Sequence, residues 1–369
     1  MTLVYDLKTG YPTSEIAPLE HLSQIAAAVI ASGKGFQYGG SLHGHEEARQ
    51  GIAAFLSTAL NVPCRMENLI LTTGALTAID MVCRTLTQPG DVVIVEDPTF
   101  FFAVDLLRMS HCEVVGVPMI DGGLDLERLR EVIMAHAGRV KLVYTIPSFQ
   151  NPTGITSSAA HRAELVQMAE TLNFHILEDM TYQTLYYEAP PPPPLKAYDE
   201  GQGRVITVGS LSKVLMPSLR FGWIWATTAQ NNAFIRFKSD ASSSRLAAEI
   251  VAEFMRNAPF EEQVARVRAL YRRKHAIFVE ALTEFAPDWL GWSVPNGGFF
   301  VWATLPQDVT LTNVLRLAHA RGLDVFPGRA SYVTPPHDRT MRLCFAMLED
   351  DILHGAGRVL GEVLYAAGK

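Results

Sequence analysis

The chain has 369 residues, of which 48% are hydrophobic and 19% charged, and its formal net charge is −7. This is the composition of an ordinary globular protein, and the length predicts one large domain with a second, smaller one. An acidic chain without a block of basic residues is a poor partner for nucleic acid or an anionic membrane surface.

The N-terminal residues 1–12 lack the basic start and apolar run of a signal peptide, and no apolar run is long enough to span a membrane. The four cysteines are scattered without paired spacing, which argues against a disulfide framework or a zinc cluster. We therefore expect a cytoplasmic protein.

The first 62 residues carry two amphipathic stretches, which predict helices over residues 19–31 and 46–60. We expect this arm, residues 1–62, to pack against the second domain.

In residues 63–240, short apolar runs alternate with amphipathic stretches. The runs predict buried strands over residues 69–71, 92–95, 113–117, 141–145, 175–177, 205–208 and 222–225. The stretches between them predict helices over residues 75–87, 126–136 and 159–172. This alternation predicts an α/β domain with a mostly parallel seven-stranded sheet flanked by helices, whose ligands would bind at the carboxyl ends of the strands.

The pattern changes near residue 234, where two long helical segments, 234–255 and 260–285, precede strand signals at 299–304 and 341–345. We expect residues 241–369 to form a smaller α+β domain together with the N-terminal arm. The five prolines at 190–194 predict a rigid surface loop.

The strongest local signal is Ser210-Leu211-Ser212-Lys213, which directly follows a predicted strand, with Arg220 seven residues further on. A lysine at a strand end can form an imine with a carbonyl compound. Taken alone, a lysine beside two serines is more often part of a solvated loop.

Other polar groups follow neighbouring strands. Asp179 comes two residues after the strand at 175–177, with Tyr182 three residues beyond it, and this pair could hold a pyridine nitrogen and a ring oxygen. Asn151 opens an Asn-Pro-Thr-Gly segment after the strand at 141–145, which by itself indicates only a turn.

Together, the ordered series Asn-Pro-Thr-Gly, Glu-Asp with tyrosine, Ser-x-Ser-Lys and arginine resembles the fold type I enzymes of pyridoxal 5'-phosphate (PLP), the aspartate aminotransferase superfamily. Within the class I/II aminotransferases, the chain is most similar to the branch of 2-aminoadipate and kynurenine aminotransferases and the aminotransferase-like half of certain bacterial regulators. The resemblance extends from Tyr38-Gly39 to Met341-Arg342-Leu343. It implies an enzyme that moves the amino group of an α-amino acid to a 2-oxo acid by a ping-pong mechanism.

The resemblance assigns the catalytic roles to three residues. Lys213 would hold PLP as a Schiff base and move a proton during the reaction. Asp179 would pair with the pyridinium nitrogen, and Tyr182, with Asn151, would hold the ring oxygen of the cofactor.

The turn after the first strand of the large domain opens a helix, and free backbone N–H groups at such a position suit a phosphate. The resemblance implies a phosphate site formed by Gly74, Ala75, Leu76, Ser210, Ser212 and Arg220. Family members commonly have Gly-Ser-Gln at this turn, so Ala75 and Leu76 remove side-chain contacts and leave the backbone contacts.

Phe100 is the candidate for the ring that stacks on the pyridine, although Phe101 and Phe102 are alternatives. Arg342 resembles the arginine that binds the α-carboxylate of the substrate, together with Asn151. Tyr38 resembles the tyrosine that reaches the phosphate of the neighbouring subunit, which implies a homodimer with a shared active site.

Several alternatives stay open at this point. The same residues would serve racemisation, elimination, decarboxylation or oxidation on PLP. A regulator with an aminotransferase-like domain would need a DNA-binding domain ahead of an arm that begins almost at Met1. The amino donor is also open, although the aromatic residues hint at an aromatic or long aliphatic side chain. His43 and His45 have no evident third ligand, so we expect no metal.

Overall fold

The structure is a computed structural model and describes residues 5–36, 38, 40–240, 242–257, 260–334 and 338–368. Within these ranges the strands are β1 (Tyr5–Leu7), β2 (Leu69–Thr72), β3 (Val92–Asp97), β4 (Glu113–Ile120), β5 (Gly123–Leu124), β6 (Val140–Thr145), β7 (His175–Asp179), β8 (Val205–Ser210), β9 (Gly222–Trp225), β10 (Gly291–Trp292), β11 (Phe300–Thr304), β12 (Leu323–Pro327) and β13 (Thr340–Cys344). The helices are α1 (Leu19–Ala31), α2 (Glu46–Leu60), α3 (Ala75–Leu86), α4 (Phe101–Met109), α5 (Leu126–Ala135), α6 (Ala159–Thr171), α7 (Thr228–Phe234), α8 (Arg245–Asn257), α9 (Phe260–Phe285), α10 (Leu311–Ala320) and α11 (Asp350–Ala367). None of the described helices is long and apolar enough to cross a membrane.

The larger sheet has the order β2-β9-β8-β7-β6-β3-β4-β5. It contains all seven predicted strands, with β9 antiparallel to its neighbours, and the two-residue β5 adds an antiparallel edge. Alternate residues of β3 enter two different cores, with Val92 and Ile94 in one and Val93 and Val95 in the other, all fully buried. Helices on both faces therefore enclose a mostly parallel sheet, as the sequence predicts.

The smaller sheet has the order β1-β12-β13-β11-β10 and joins the first strand of the chain to the last ones. Strands β11 and β13 are those predicted, whereas the short β1 and β12 are not evident from the sequence. We propose that residues 63–240 form one domain and that residues 1–62 and 241–369 form the other.

The predicted helix over residues 234–255 was wrong, because α7 ends at Phe234 and α8 begins at Arg245. In the intervening segment the Lys238 side chain is buried, and its Nζ donates to the Leu71 carbonyl oxygen at 2.7 Å. The segment thus turns inward beneath the end of β2 instead of continuing the helix.

Arg162 on α6 is fully buried and fastens the proline-rich segment to the start of the loop that carries Asn151. Its guanidinium donates to five oxygens, namely the carbonyls of Pro147, Ser157, Pro192 and Pro193 and the Ser148 hydroxyl, at 2.7–3.1 Å. The planar guanidinium has five N–H donors, so one side chain can satisfy all of these acceptors.

We expect Arg162→Met to lower the free energy of unfolding by about 3 kcal/mol or more, because each buried acceptor left without a donor costs roughly 1–3 kcal/mol. Urea unfolding followed by circular dichroism measures the change. Arg128→Met is the matched control, since Arg128 forms an exposed pair with Glu131 and should change stability by less than about 1 kcal/mol. Equal losses in the two variants would contradict this account of Arg162.

Candidate active site

A cavity of about 330 Å³ lies where the carboxyl ends of the large sheet face the smaller sheet. The predicted site residues that line it are Ala75, Leu76, Phe100, Asn151, Asp179, Tyr182, Ser210, Ser212, Lys213, Arg220 and Arg342. Gly74 borders it through its contact with Arg220. Tyr38 is fully exposed and does not line the cavity of its own chain.

Lys213 ends a short 3-10 turn after β8 and is half-buried. Its Nζ donates to the Gly10 carbonyl oxygen at 2.8 Å. The pKa of Lys213 is lowered to about 8, mainly by burial and also by the positive charges of Arg342 and Arg220, while the negative charge of Asp179 opposes the shift. The neutral, nucleophilic amine is therefore a minor form near neutral pH, but it is far more populated than in an ordinary lysine.

Asp179 is the last residue of β7, and its carboxylate is buried. Oδ1 accepts from the Thr181 backbone N–H at 3.0 Å and the Thr181 hydroxyl at 2.6 Å, and Oδ2 accepts from the Tyr144 hydroxyl at 3.0 Å. Burial raises the pKa of Asp179, and these hydrogen bonds oppose the rise. All three donors are neutral, so the carboxylate is oriented without a charged partner.

Sequence reasoning missed Tyr144 and Thr181 as partners of Asp179. Tyr144 lies inside β6, where a buried aromatic residue has the pattern of ordinary core packing. The position of Thr181 two residues after the carboxylate is the signal for a local side-chain hydrogen bond that could have been used.

Asn151 and Arg342 contact each other although 191 positions separate them in sequence. The Arg342 Nη1 donates to Asn151 Oδ1 at 3.0 Å, and Nη2 donates to the Lys8 carbonyl oxygen at 2.8 Å. Tyr182 is buried nearby, and burial raises the pKa of its hydroxyl while the charge of Arg342 opposes this. The cavity thus has a cationic end formed by the small sheet.

The opposite end of the cavity has the features of an anion site. Helix α3 begins at Ala75, and its N-cap, Gly74, forms no side-chain cap hydrogen bond. Gly74 has a φ of 86°, and a Cβ there would lie 2.5 Å from Nη2 of Arg220, so the turn requires glycine. Arg220 Nη2 donates to the Thr73 carbonyl oxygen at 3.3 Å, which places a guanidinium beside the free N–H groups of the helix.

Three consecutive phenylalanines line the cavity between these two ends. Phe100 is half-buried, Phe101 stacks on Phe326 with ring centroids 5.1 Å apart, and Phe102 is 51% exposed. All three rings border the cavity, so the cavity offers several aromatic faces to a flat ligand.

The chain resembles known proteins over almost its whole length. The sequence profile of the family described as aminotransferase class I and II matches residues 5–359. The chain is 31% identical over 368 residues to aromatic-amino-acid aminotransferase 1 of Thermococcus litoralis, with 98% of this chain and 88% of that protein covered. It is 30% identical over 362 residues to 2-aminoadipate transaminase of Thermus thermophilus, with coverages of 96% and 88%. The solved kynurenine aminotransferase of Pyrococcus horikoshii, in complex with PMP, has a TM-score of 0.93 at 29% identity, with coverages of 100% and 92%.

The chain therefore belongs to the class I and II aminotransferases. It is a PLP-dependent transferase that moves an amino group between an amino acid and a 2-oxo acid.

The residues present fit PLP at three points. The buried Asp179 carboxylate has only neutral donors, so a protonated pyridine nitrogen would supply the opposite charge. The start of α3 and Arg220 offer N–H donors to a phosphate. Lys213 offers an amine with a lowered pKa for an aldehyde. When bound, PLP would supply an electron sink for the carbanion formed at the amino acid Cα.

The lowered pKa of Lys213 predicts its reactivity in the cofactor-free protein. Because the amine is protonated below its pKa, its acylation by acetic anhydride should rise with pH and level off above about pH 8. Mass spectrometry of digests measures this rate, with the exposed Lys34 as the reference in the same samples. A Lys213 rate that levels off only above about pH 10, the value of an unperturbed lysine, would contradict the assignment.

Proposed function

We propose that this aminotransferase takes its amino group from an α-amino acid with a large apolar side chain and acts through Lys213. The observation that carries the proposal is a single cavity in which a lysine with a lowered pKa, a buried carboxylate and two arginines face one another.

The roles of the residues follow from their chemistry. Lys213 would bind PLP and, once released by the incoming amine, carry the proton that leaves Cα. Asp179 would hold the protonated pyridine nitrogen. Asn151 and Tyr182 would hydrogen-bond the ring oxygen, and Arg342 would bind the α-carboxylate through its planar fork.

The phosphate would bind at the other end of the cavity. Its oxygens would accept from the backbone of Gly74, Ala75 and Leu76 and from the side chains of Ser210, Ser212 and Arg220. The hydroxyl oxygens of Ser210 and Ser212 lie 2.8 Å apart, so both can turn to one ligand. Phe100 would support the pyridine ring by stacking.

The preference for an apolar donor rests on the remaining lining of the cavity. The cationic residues that border it are Lys213, Arg220 and Arg342, and each of these has a role in the proposal. Apart from them, the substrate side presents mainly aromatic and aliphatic residues, among them Tyr11 and Phe102 at 66% and 51% exposure. A second carboxylate on the substrate would therefore lack an obvious cationic partner. Two relatives, aromatic-amino-acid aminotransferase 1 and kynurenine aminotransferase, support this choice, whereas 2-aminoadipate transaminase supports a donor with a second carboxylate.

The donor preference and the reaction type can be tested together. Kynurenine, phenylalanine or leucine, added without a 2-oxo acid, should convert the bound cofactor to its pyridoxamine form, and initial rates with both substrates should follow ping-pong kinetics. The value of kcat/KM should be at least about tenfold higher for these donors than for 2-aminoadipate or glutamate, because one unpaired buried charge costs more than 1.4 kcal/mol. A preference for glutamate alone would defeat the apolar assignment, and elimination or racemisation products without pyridoxamine would defeat transamination.

We further propose that the active enzyme is a homodimer in which Tyr38 reaches the phosphate site of the neighbouring subunit. Tyr38 is fully exposed in the single chain, and Phe36, two residues before it, is 89% exposed. Large exposed aromatic residues close together are typical of an interaction surface.

Mixed dimers test the shared site. Lys213→Ala and Tyr38→Ala should each impair the enzyme, whereas refolding an equal mixture should restore about one quarter of wild-type activity, because half of the dimers would contain one intact site out of two. A mixture no more active than its components would contradict a site shared between subunits. Lys213→Ala mixed with Arg220→Ala is the control, because both residues line the cavity of the same chain, so each site of a mixed dimer carries one defect and no activity should be restored.

We propose that the enzyme works in the reducing cytoplasm without nucleic-acid or membrane partners. The four cysteines, which are free and buried, are consistent with that compartment. The net charge of −7 agrees with the absence of such partners.

A further inference from the structure

The guanidinium of Arg342 contacts two aromatic rings, which belong to the neighbouring strands of the small sheet. Its central carbon lies 4.3 Å from the ring centroid of Phe300 on β11 and 4.4 Å from that of Phe326 on β12. Phe326 is the register partner of Arg342 in the pairing of β12 with β13. Aromatic faces at this distance attract a cation, most strongly where water is excluded.

The enclosure restricts how an anion can approach. With both rings against the guanidinium, its N–H groups remain accessible only in the plane. Nη1 already donates to Asn151, and Nη2 donates to the Lys8 carbonyl oxygen. Arg342 is only 4% exposed, and its Nε is buried without a hydrogen-bond partner among the described residues. The edge formed by Nε and Nη2 is thus the one that has an N–H group, at Nε, without an acceptor among the described residues.

A third ring connects this arrangement to α4, the helix that follows β3 of the large sheet. Phe101, at the start of α4, stacks on Phe326 with an interplanar angle of 27° and ring centroids 5.1 Å apart. Phe101 follows Phe100 directly in the chain. Successive contacts therefore link Phe101 on α4 to Phe326, Arg342 and Phe300 on the small sheet.

We infer that Phe300 and Phe326 are positioning residues that hold Arg342 so that the α-carboxylate of the substrate binds side-on to its Nε and Nη2. The carboxylate then replaces the Lys8 carbonyl oxygen at Nη2 and satisfies Nε, while Asn151 keeps Nη1. Phe101 on α4 supports Phe326 by stacking on it. This inference rests on the proposed role of Arg342 in substrate binding. It adds which edge of the guanidinium is used and which rings fix it.

Removing one ring tests the inference. Phe326→Leu should raise KM about tenfold for every amino-acid and 2-oxo-acid substrate, whatever the side chain, with kcat changed by less than about twofold. The dissociation constant of the unreactive analogue α-methyl-leucine, read from the cofactor absorption, should rise by the same factor. Phe326→Tyr keeps the ring and should bind like the wild type.

Phe101→Leu leaves Phe326 in place and should raise KM about threefold, which keeps the inference testable if Phe326→Leu fails to fold.

Phe278→Leu is the matched control, because Phe278 is a fully buried aromatic residue on α9, outside the cavity. It should lower thermal stability and leave KM unchanged. Unchanged KM in Phe326→Leu and Phe101→Leu, or a loss confined to kcat, would overturn the inference while the proposed function stood. A wild-type protein without transamination would instead defeat the proposed function.

Discussion

Transferring the Asp179 carboxylate from water to the end of β7 costs several kcal/mol, because this site is shielded from solvent. Neutral donors from Tyr144 and Thr181 recover part of that cost and fix the direction of the carboxylate. The part of the desolvation cost that these hydrogen bonds do not offset favours the binding of a ligand that carries a positive charge. In the proposed site, Asp179 would pair with the protonated pyridine nitrogen of the cofactor, and the lysine, the phosphate donors and Arg342 would contact its other groups.

The large sheet meets these demands because its parallel strands end at one edge. Strands β2, β6, β7 and β8 run in the same direction, so residues that follow each of them meet in one cavity. The antiparallel β9 lies between β2 and β8, and Arg220 comes just before it in the chain. The Arg220 side chain therefore lies next to the turn between β2 and α3, where it donates to the Thr73 carbonyl oxygen. The small sheet contributes the cationic end through Arg342.

Much of this arrangement could be predicted from the sequence. Buried parallel strands are short apolar runs, and Asp179, Asn151 and Lys213 follow such runs. Position alone left each of them ambiguous, and their roles are implied by the resemblance of the ordered motifs to the family. The functional contacts of Tyr144 and Phe326 could not be predicted. A buried aromatic residue in a strand has the same sequence pattern whether it packs in a core or contacts a functional group. The break before α8 was missed because it depends on the burial of Lys238 beneath β2, a contact between distant parts of the chain.

In the proposed site, Asp179 would keep the pyridine nitrogen of the bound cofactor protonated. Nitrogen NMR of the protein loaded with ring-¹⁵N-labelled PLP measures this directly, with Asp179→Ala beside the wild type. The account predicts a protonated ring nitrogen in the wild type over the range of pH in which the protein is folded, and an unprotonated one in the variant. An unprotonated nitrogen in the wild type, or the same state in both proteins, would contradict it.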